Sequence, residues 1–255
     1  MARKVPWIGT SWKMNKTRAE AVQFASALAA SPLAQPKDCQ PFVIPPFPYI
    51  AEIAEILKGT KVKIGAQNMH WADQGAWTGE VSPLMVKDCG AMLVELGHSE
   101  RRTHFSETDE TVALKVQAAL KHGLTALVCI GDTKAEYDAG KTAQALERQV
   151  RGLLKYVSHL VQDKVIIAYE PVWSIGEGGI PATPEFANEQ HIKIAALVKS
   201  ITGGTLPILY GGSVNALNCV TLAGQSHIDG LFIGRAAWDV NGYVSIINSV
   251  VESLK

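Results

Sequence analysis

Short apolar runs alternate along this chain with longer stretches in which apolar and polar residues recur at helical spacing. Almost every residue within a run is apolar, which is typical of parallel strands that are buried on both faces. The runs start 21 to 42 residues apart, so one crossover helix fits between successive strands. The pattern therefore predicts a parallel β/α architecture. The predicted strands cover residues 7–11, 41–44, 62–66, 91–96, 126–130, 165–169, 207–210 and 230–233.

Helix start signals lie between these runs. Thr17 followed by Glu20 has the spacing of a capping box, which predicts a helix that runs to about Ala30. The acidic residues at 106–110 open a second helix, which is expected to end near the basic residues and glycine at 121–123. At 183–185 a threonine, a proline and a glutamate have the order of an N-cap and a first helical turn.

Eight strand–helix units can form either a closed barrel or a doubly wound sheet, and periodicity alone does not choose between them. The length of 255 residues and the count of eight favour an α/β fold of the (β/α)8 barrel type. No linker, repeat or low-complexity segment divides the chain. A single domain over residues 1–255 is therefore expected.

Composition excludes several classes of function. Lys+Arg and Asp+Glu are both 24, so the basic footprint of a nucleic-acid or anionic membrane partner is absent. The four cysteines contain no C-x-x-C pair, which argues against a disulfide framework or a zinc site. The first residues lack the apolar segment of a signal peptide. A cytoplasmic protein that acts on a small molecule is expected.

Chemistry in parallel β/α folds gathers beyond the carboxyl ends of the strands. An ammonium, an imidazole, an acid and two glycine turns would meet there, a set that suits proton transfer on a small anionic substrate. The polar residues after the first, third, fourth, sixth, seventh and eighth runs are Lys13, Gln67 with Asn68, His98-Ser99-Glu100, Glu170, Gly211-Gly212-Ser213 and Gly234-Arg235.

Each of the three reactive side chains has more than one interpretation. Glu170 is either a poorly solvated general base, since desolvation raises a carboxyl pKa, or a strand-end acid that caps a backbone amide. His98 precedes possible helix caps, where a neutral imidazole can donate to an enediolate, although a lone histidine is more often structural. Lys13 is a surface lysine, an electrostatic stabiliser or a Schiff-base lysine, and nearby Glu100 or Glu170 disfavours the last role.

The glycine turns and one loop complete the candidate site. Backbone N–H groups in turns such as 211–213 and 234–235 cradle phosphate, and barrels often place that site after strands seven and eight. Residues 174–182 follow Glu170, are rich in glycine and contain a proline, a composition that suits a mobile lid. The nucleotide P-loop pattern fails before Gly140-Lys141-Thr142, G-x-G-x-x-G is absent, and no histidine–carboxylate cluster has metal-ligand spacing. Neither a cofactor nor a metal is expected.

Six separate motifs, in order, resemble the triosephosphate isomerase family over essentially the whole chain. That resemblance implies a barrel enzyme in which Glu170 is the base, His98 the electrophile and Lys13 the electrostatic stabiliser, an assignment that follows the family's known acid–base tuning. It also implies a homodimer in which the loop around Thr78 inserts into the partner near Lys13. The motifs are Trp12-Lys13-Met14-Asn15, Gly65-Ala66-Gln67-Asn68, Gly75-Ala76-Trp77-Thr78-Gly79-Glu80, the residues at 95–102, Tyr169-Glu170-Pro171-Val172-Trp173 and Tyr210-Gly211-Gly212-Ser213-Val214, with Asp229-Gly230 after them.

Three departures surround the expected ligand. Ser11 stands where triosephosphate isomerases usually have asparagine, the lid is one residue longer and lacks its lysine, and Arg235 replaces a glycine of the eighth-strand turn. With them the chain resembles a sister group, the tetrulose-phosphate isomerases of erythritol catabolism. That likeness implies interconversion of L-erythrulose 1-phosphate and D-erythrulose 4-phosphate, with Ser11 making room for the extra carbon. The expected substrate-binding residues are Ser11, Lys13, Gly176, Ser213, Gly234 and Arg235, supported by Glu100.

Three other functions stay open at this point. The first is a triosephosphate isomerase with altered loops. A comparison of activity on tetrulose and triose phosphates would distinguish it from a tetrulose-phosphate isomerase. The second is a barrel that binds a phosphorylated metabolite without converting it, since fold alone does not guarantee activity. The third is a Schiff-base aldolase, although such barrels usually carry the reactive lysine on strand six, where this chain has Glu170.

Overall fold

Eight parallel strands close into a barrel in the order in which they occur in the chain. The structure is a computed structural model, and it describes residues 5–157, 164–176 and 179–255. The strands are β1 (Trp7–Ser11), β2 (Gln40–Ile44), β3 (Lys63–Ala66), β4 (Leu93–Leu96), β5 (Thr125–Ile130), β6 (Val165–Tyr169), β7 (Ile208–Tyr210) and β8 (Gly230–Ile233).

Helices occupy the connections between the strands and cover the outside of the barrel. In the described part of the chain they are α1 (Arg18–Ala29), α2 (Ile50–Ile56), α3 (Pro83–Asp88), α4 (Ser99–His104), α5 (Asp109–Lys121), α6 (Lys134–Asp138), α7 (Thr142–Leu154), α8 (Pro184–Thr202), α9 (Cys219–Ala223) and α10 (Val240–Ser253). None of these helices combines the length and the apolar character that crossing a membrane requires.

The pairing of β1 with β8 decides between the two architectures that the sequence left open. Trp7 lies opposite Gly230 in that pair and Thr10 opposite Ile233, so the first and last strands join and the sheet has no edge. The predicted (β/α)8 barrel is therefore confirmed, and the doubly wound alternative is excluded.

Side chains alternate between the barrel interior and the layer under the helices. On β2, Phe42 and Ile44 belong to the interior cluster, whereas Val43 packs in the outer core with the helices. Gly9 on β1 makes room for the Phe42 ring, because a Cβ atom there would lie 2.3 Å from its carbons. The Phe42 and Phe232 rings stack with centroids 5.7 Å apart. This interior layer fills the barrel below the carboxyl ends of the strands.

The predicted helix starts agree with the structure, while strand starts differ by up to two residues. Thr17 and Glu20 form the capping box of α1, and Thr183 caps α8 with Pro184 at its first position. Strand β4 begins at Leu93 rather than at residue 91, because the Ala91 N–H donates to Val86 O and closes the turn after α3. Apolar residues continue from that turn into the strand, so hydrophobicity does not mark the boundary.

Candidate active site

A cavity of about 430 Å³ opens at the carboxyl ends of the strands. It brings together every residue that the sequence predicts for catalysis and substrate binding, although those residues come from five strand ends and the lid segment. They are Ser11, Lys13, His98, Glu100, Glu170, Gly176, Ser213, Gly234 and Arg235.

Lys13 follows β1 in the left-handed backbone region, with a φ of 53° that is uncommon for a residue with a side chain. Its carbonyl accepts a hydrogen bond from Gln67 Nε2 at 2.9 Å, and its Nζ contacts Glu100 Oε1 at 2.6 Å. Burial lowers the pKa of Lys13, but the hydrogen bond and charge of Glu100, with the charges of Glu170 and Glu95, outweigh it. The net pKa of Lys13 is raised, which keeps the ammonium charged and weighs against a Schiff-base role.

His98 follows β4 and caps α4 with its own side chain. Its Nδ1 accepts the backbone N–H of Glu100 at 3.2 Å, so the neutral ring carries its proton on Nε2. Nε2 lies 3.4 Å from Glu170 Oε1. The ring can therefore donate a hydrogen bond toward the carboxylate side of the cavity, where a substrate oxygen would lie.

Glu170 follows β6 and its side chain is buried, with 2% of the residue exposed. Its Oε2 accepts the Ser99 N–H at 3.4 Å, and Gly211 leaves space for it, because a Cβ atom there would lie 2.9 Å from Glu170 Cγ. Cys129 adjoins it on β5, where burial and the nearby carboxylates hold the pKa of the thiol well above its usual value. The carboxylate thus faces a poorly solvated environment with few fixed partners, as a general base requires.

Glu95 is a second buried carboxylate, to which the sequence analysis assigned no role. It is 2% exposed, its Oε2 accepts a hydrogen bond from Ser11 Oγ at 2.8 Å, and its Oε1 lies 4.0 Å from His98 Nε2. Burial raises the pKa of Glu95 to about 7, a rise that His98 opposes and the charge of Glu170 reinforces. A carboxylate inside an otherwise apolar parallel strand was the signal that could have revealed it, because such residues are rarely fully buried.

Glu95, His98 and Glu170 also form a cluster of donor atoms that sequence spacing did not predict. One donor atom from each lies within 4.8 Å of the others. The closure of the barrel brings β4 and β6 to the same cavity, which spacing along the chain cannot show. Carboxylates on either side of an imidazole are also suited to proton transfer.

The burial of Glu95 predicts a pH-dependent stability. Because its folded pKa of about 7 lies above the ordinary 4.5, ionising it costs folding free energy as pH rises between these two values. We expect Glu95→Gln to match the wild type at about pH 4 and to be about 3 kcal/mol more stable at about pH 8. Urea unfolding at both pH values measures the difference.

Glu107 provides a control of opposite sign. It is also buried, but Lys115 and Arg101 pair with it and hold the pKa of Glu107 below its usual value against the effect of burial. Its ionised form stabilises the fold, and that contribution is lost only as pH falls through the lowered pKa. Glu107→Gln should therefore destabilise the protein at about pH 8. Stabilisation by both variants at that pH would contradict the assignment.

Asp132 secures the segment that follows Glu170. Its carboxylate accepts hydrogen bonds from Tyr169 Oη at 3.0 Å, Trp173 Nε1 at 3.2 Å and Thr142 Oγ1 at 2.7 Å. The last residue of β6 and Trp173, which immediately precedes the lid segment (residues 174–182), are thereby held to the loop after β5. Gly176 of this segment lines the cavity with a φ of 85°. Residues 177 and 178 of the predicted lid lie outside the described residues.

The two glycine turns form the side of the cavity next to β7 and β8. Asn218 Nδ2 donates to Ser213 O at 2.8 Å and fixes the first turn. Within the described residues no acceptor is found for the backbone N–H groups of Ser213 and Arg235, and no carboxylate pairs with the Arg235 side chain. Unpaired N–H groups beside an exposed guanidinium are chemically suited to an anion such as phosphate.

Thr78 does not line this cavity. It lies in the exposed loop after β3, next to Trp77, whose side chain is half exposed. Met14, which follows Lys13 along the chain, is almost fully exposed. The predicted dimer loop is therefore separate from the site within one chain.

Comparison with known proteins decides the family. The sequence profile described as Triosephosphate isomerase matches residues 6–250. The chain belongs to the triosephosphate isomerase family. The family predicted from the six sequence motifs is confirmed, and membership makes the chain an isomerase of phosphorylated sugars.

Named relatives within the family carry a more specific description. A protein of Brucella abortus biovar 1 (strain 9-941) is 58% identical over 242 residues, which is 94% of each chain. A protein of Rhizobium meliloti (strain 1021) is 53% identical over 255 residues and covers both chains completely. One of Rhizobium etli (strain ATCC 51251 / DSM 11541 / JCM 21823 / NBRC 15573 / CFN 42) is 56% identical over 251 residues, 98% of this chain and 94% of its own. Each of them is named L-erythrulose-1-phosphate isomerase.

Proposed function

We propose that this member of the triosephosphate isomerase family interconverts L-erythrulose 1-phosphate and D-erythrulose 4-phosphate without a cofactor. The observation that carries the proposal is the separation of 3.4 Å between Glu170 Oε1 and His98 Nε2, in a cavity that Lys13 also lines. This arrangement has a carboxylate to take a carbon-bound proton and an N–H to stabilise the adjacent oxygen. The names of the relatives support the choice of substrate.

The proton transfer follows from these positions. Glu170 removes the proton from C3 of L-erythrulose 1-phosphate, and the electron pair forms the C2–C3 double bond of an enediolate. His98 Nε2–H donates toward the oxygens on C2 and C3, and the Lys13 ammonium offsets their negative charge. The carboxylic acid then returns the proton to C2. His98 Nε2 gives its proton to the oxygen on C2 and takes up the proton of the hydroxyl on C3, so the carbonyl forms at C3 and the ring is restored. Numbered from the other end, the product is D-erythrulose 4-phosphate.

The substrate differs from a triose phosphate by one hydroxymethyl group on the enediol. Ser11 is shorter than the asparagine usual at this position in triosephosphate isomerases, which leaves room for that group. The longer lid and Arg235 also alter the surroundings of the ligand. Isomerisation of glyceraldehyde 3-phosphate is the alternative function, and retention of Lys13, His98 and Glu170 is compatible with it.

A comparison of two substrates tests the proposal. Purified enzyme is incubated in D₂O with L-erythrulose 1-phosphate or with glyceraldehyde 3-phosphate, and NMR follows both product formation and deuterium at the reacting carbons. We expect fast turnover of the tetrulose phosphate and slow turnover of the triose phosphate. The opposite ranking would establish the alternative, and borohydride trapping of a lysine adduct would indicate an aldolase.

Arg235 is expected to act on the phosphate side of the site. Arg235→Gly should raise KM about tenfold and change kcat little, because a charge-assisted hydrogen bond to phosphate is made equally in substrate and transition state. Steady-state kinetics on L-erythrulose 1-phosphate measure the two constants. Arg18→Gly on the exposed surface is the matched control, and kinetics of Arg235→Gly that equal the wild type on both substrates would remove Arg235 from the site.

The proposed assembly is a homodimer in the cytoplasm. Its support is the exposure of Met14 beside Lys13 and of Trp77 beside Thr78, since exposed apolar side chains often mark an interface. A partner's loop around Thr78 would cover the region near Lys13. Sedimentation equilibrium tests the assembly.

A further inference from the structure

Ser11 and Glu95 meet inside the barrel, although their strands are not neighbours in the sheet. On β1 the interior position of Gly9 places Ser11, two residues on, on the same face. On β4, Leu93 belongs to the interior layer, so Glu95 faces inward as well. Their hydrogen bond of 2.8 Å spans the lumen between buried side chains, at the floor of the cavity.

This hydrogen bond determines what Ser11 can offer a ligand. A serine hydroxyl has one proton and two lone pairs, and Ser11 donates its proton to Glu95. The backbone of Ser11 is fixed as well, because its carbonyl accepts from Trp238 Nε1 at 3.0 Å. Ser11 lines the cavity, and a hydroxyl whose proton is already donated can present only lone pairs to a ligand. The ligand group that matches these lone pairs is one that donates a hydrogen bond, such as an alcohol O–H.

The other side chains at the reaction centre already have a different role. The Lys13 ammonium can only donate, and His98 Nε2 carries a proton. Glu170 is reserved for the carbon-bound proton, and the carboxylate of Glu100 is paired with Lys13. At the floor of the cavity Ser11 is thus positioned to accept a substrate hydroxyl.

We propose that Glu95 is a positioning residue that orients the Ser11 hydroxyl to accept the terminal hydroxymethyl group of a four-carbon ketose phosphate. The inference rests on the proposed function and extends it to the residue pair that sets specificity. With the phosphate beside Ser213 and Arg235 and the reacting carbons between Glu170 and His98, the remaining end of the substrate reaches the floor. Triose phosphates lack that hydroxymethyl group and make no use of the pair.

The contact persists from substrate to product, because the same hydroxymethyl group is present in both. Its loss should therefore appear in KM rather than in kcat. Ser11→Ala is expected to raise KM for L-erythrulose 1-phosphate about threefold to tenfold, the range for one hydrogen bond between neutral groups. The loss on glyceraldehyde 3-phosphate should be clearly smaller.

Variants of Glu95 test whether this residue orients the Ser11 hydroxyl or only fills buried space. Glu95→Leu removes the acceptor of the Ser11 proton and should reproduce the KM increase of Ser11→Ala, whereas Glu95→Gln keeps an acceptor oxygen and should restore most of the affinity. In the Ser11→Ala/Glu95→Leu double variant the increase should not exceed that of Ser11→Ala alone, because Glu95 acts through Ser11. Thermal unfolding verifies that each variant is folded.

Thr10→Val is the matched control. Thr10 is the neighbour of Ser11 on β1, its side chain is buried, and its hydroxyl has no hydrogen-bond partner among the described residues. Losing that hydroxyl should leave KM and kcat unchanged for both substrates.

The assays are run at about pH 8, above the pKa of about 7 of Glu95, with the wild type on both substrates as reference. Equal losses on tetrulose and triose phosphate, or a further KM increase from Glu95→Leu in the Ser11→Ala background, would overturn the inference. Failure of the wild type to convert L-erythrulose 1-phosphate would instead overturn the proposed function.

Discussion

Replacing Glu170 with aspartate is expected to lower kcat on the order of a thousandfold, with little change in KM. The shorter side chain withdraws the carboxylate by one carbon from its place 3.4 Å from His98 Nε2. The reacting C–H then lies beyond the reach of the base, while the phosphate contacts that determine affinity stay intact. Steady-state kinetics on L-erythrulose 1-phosphate measure both constants.

Glu189→Asp is the control for this change. Glu189 lies on the surface of α8 and pairs with Lys193. Glu189→Asp therefore makes the same Glu-to-Asp change away from the cavity. Its kinetics should equal those of the wild type. A loss of less than about fivefold in kcat for Glu170→Asp would show that another group removes the proton, because general bases contribute about a hundredfold or more.

Replacing Lys13 with methionine is expected to lower kcat/KM on the order of a thousandfold. Methionine keeps most of the length and packing of the side chain but removes the charge that offsets the enediolate and phosphate. It also leaves the carboxylate of Glu100 without its partner at 2.6 Å, beside the negatively charged ligand. Both effects weaken transition-state binding, and the assay that compares the two substrates measures the loss for each.

Two further variants serve as controls for Lys13→Met: Lys134→Met on the surface and Glu100→Gln at the ion-pair partner of Lys13. Lys134 pairs with Asp138 on the exposed surface of α6, and its replacement should leave kinetics unchanged. Glu100→Gln removes the ion-pair partner of Lys13 but keeps the ammonium. The decrease in kcat/KM for Glu100→Gln should therefore be much smaller than for Lys13→Met. Losses of equal size from these two site variants would mean that the ion pair, and not the cation, supports turnover.

Local sequence signals predicted the secondary structure well because they act over a few residues. The capping box at Thr17 and Glu20 depends on one helical turn, and the apolar runs depend on burial of both strand faces. The closure of the barrel depends on the pairing of Trp7 with Gly230, more than two hundred residues away. No local pattern carries that information, so the sequence evidence for it was the length, the number of strands and the resemblance of the motifs to a family of barrel enzymes.

The candidate site shows the same division. Lys13, His98 and Glu170 follow strand ends, and a rule about parallel sheets was enough to place them at one opening. Glu95 precedes the end of its strand and was assigned to the apolar run around it, although it bonds to Ser11 across the lumen. The role of a polar residue inside a strand can be assigned only once its partner across the barrel is known.

The rings of Phe42 and Phe232 close the barrel beneath the site, and Gly9 is the residue that permits this. Ligands therefore exchange at the carboxyl ends of the strands, where the lid segment also lies. Substrate and product share one route, and with the proposed site their phosphates would occupy the same turns. A departing sugar phosphate excludes the next molecule until it has left, so we expect accumulated product to slow the enzyme by direct competition.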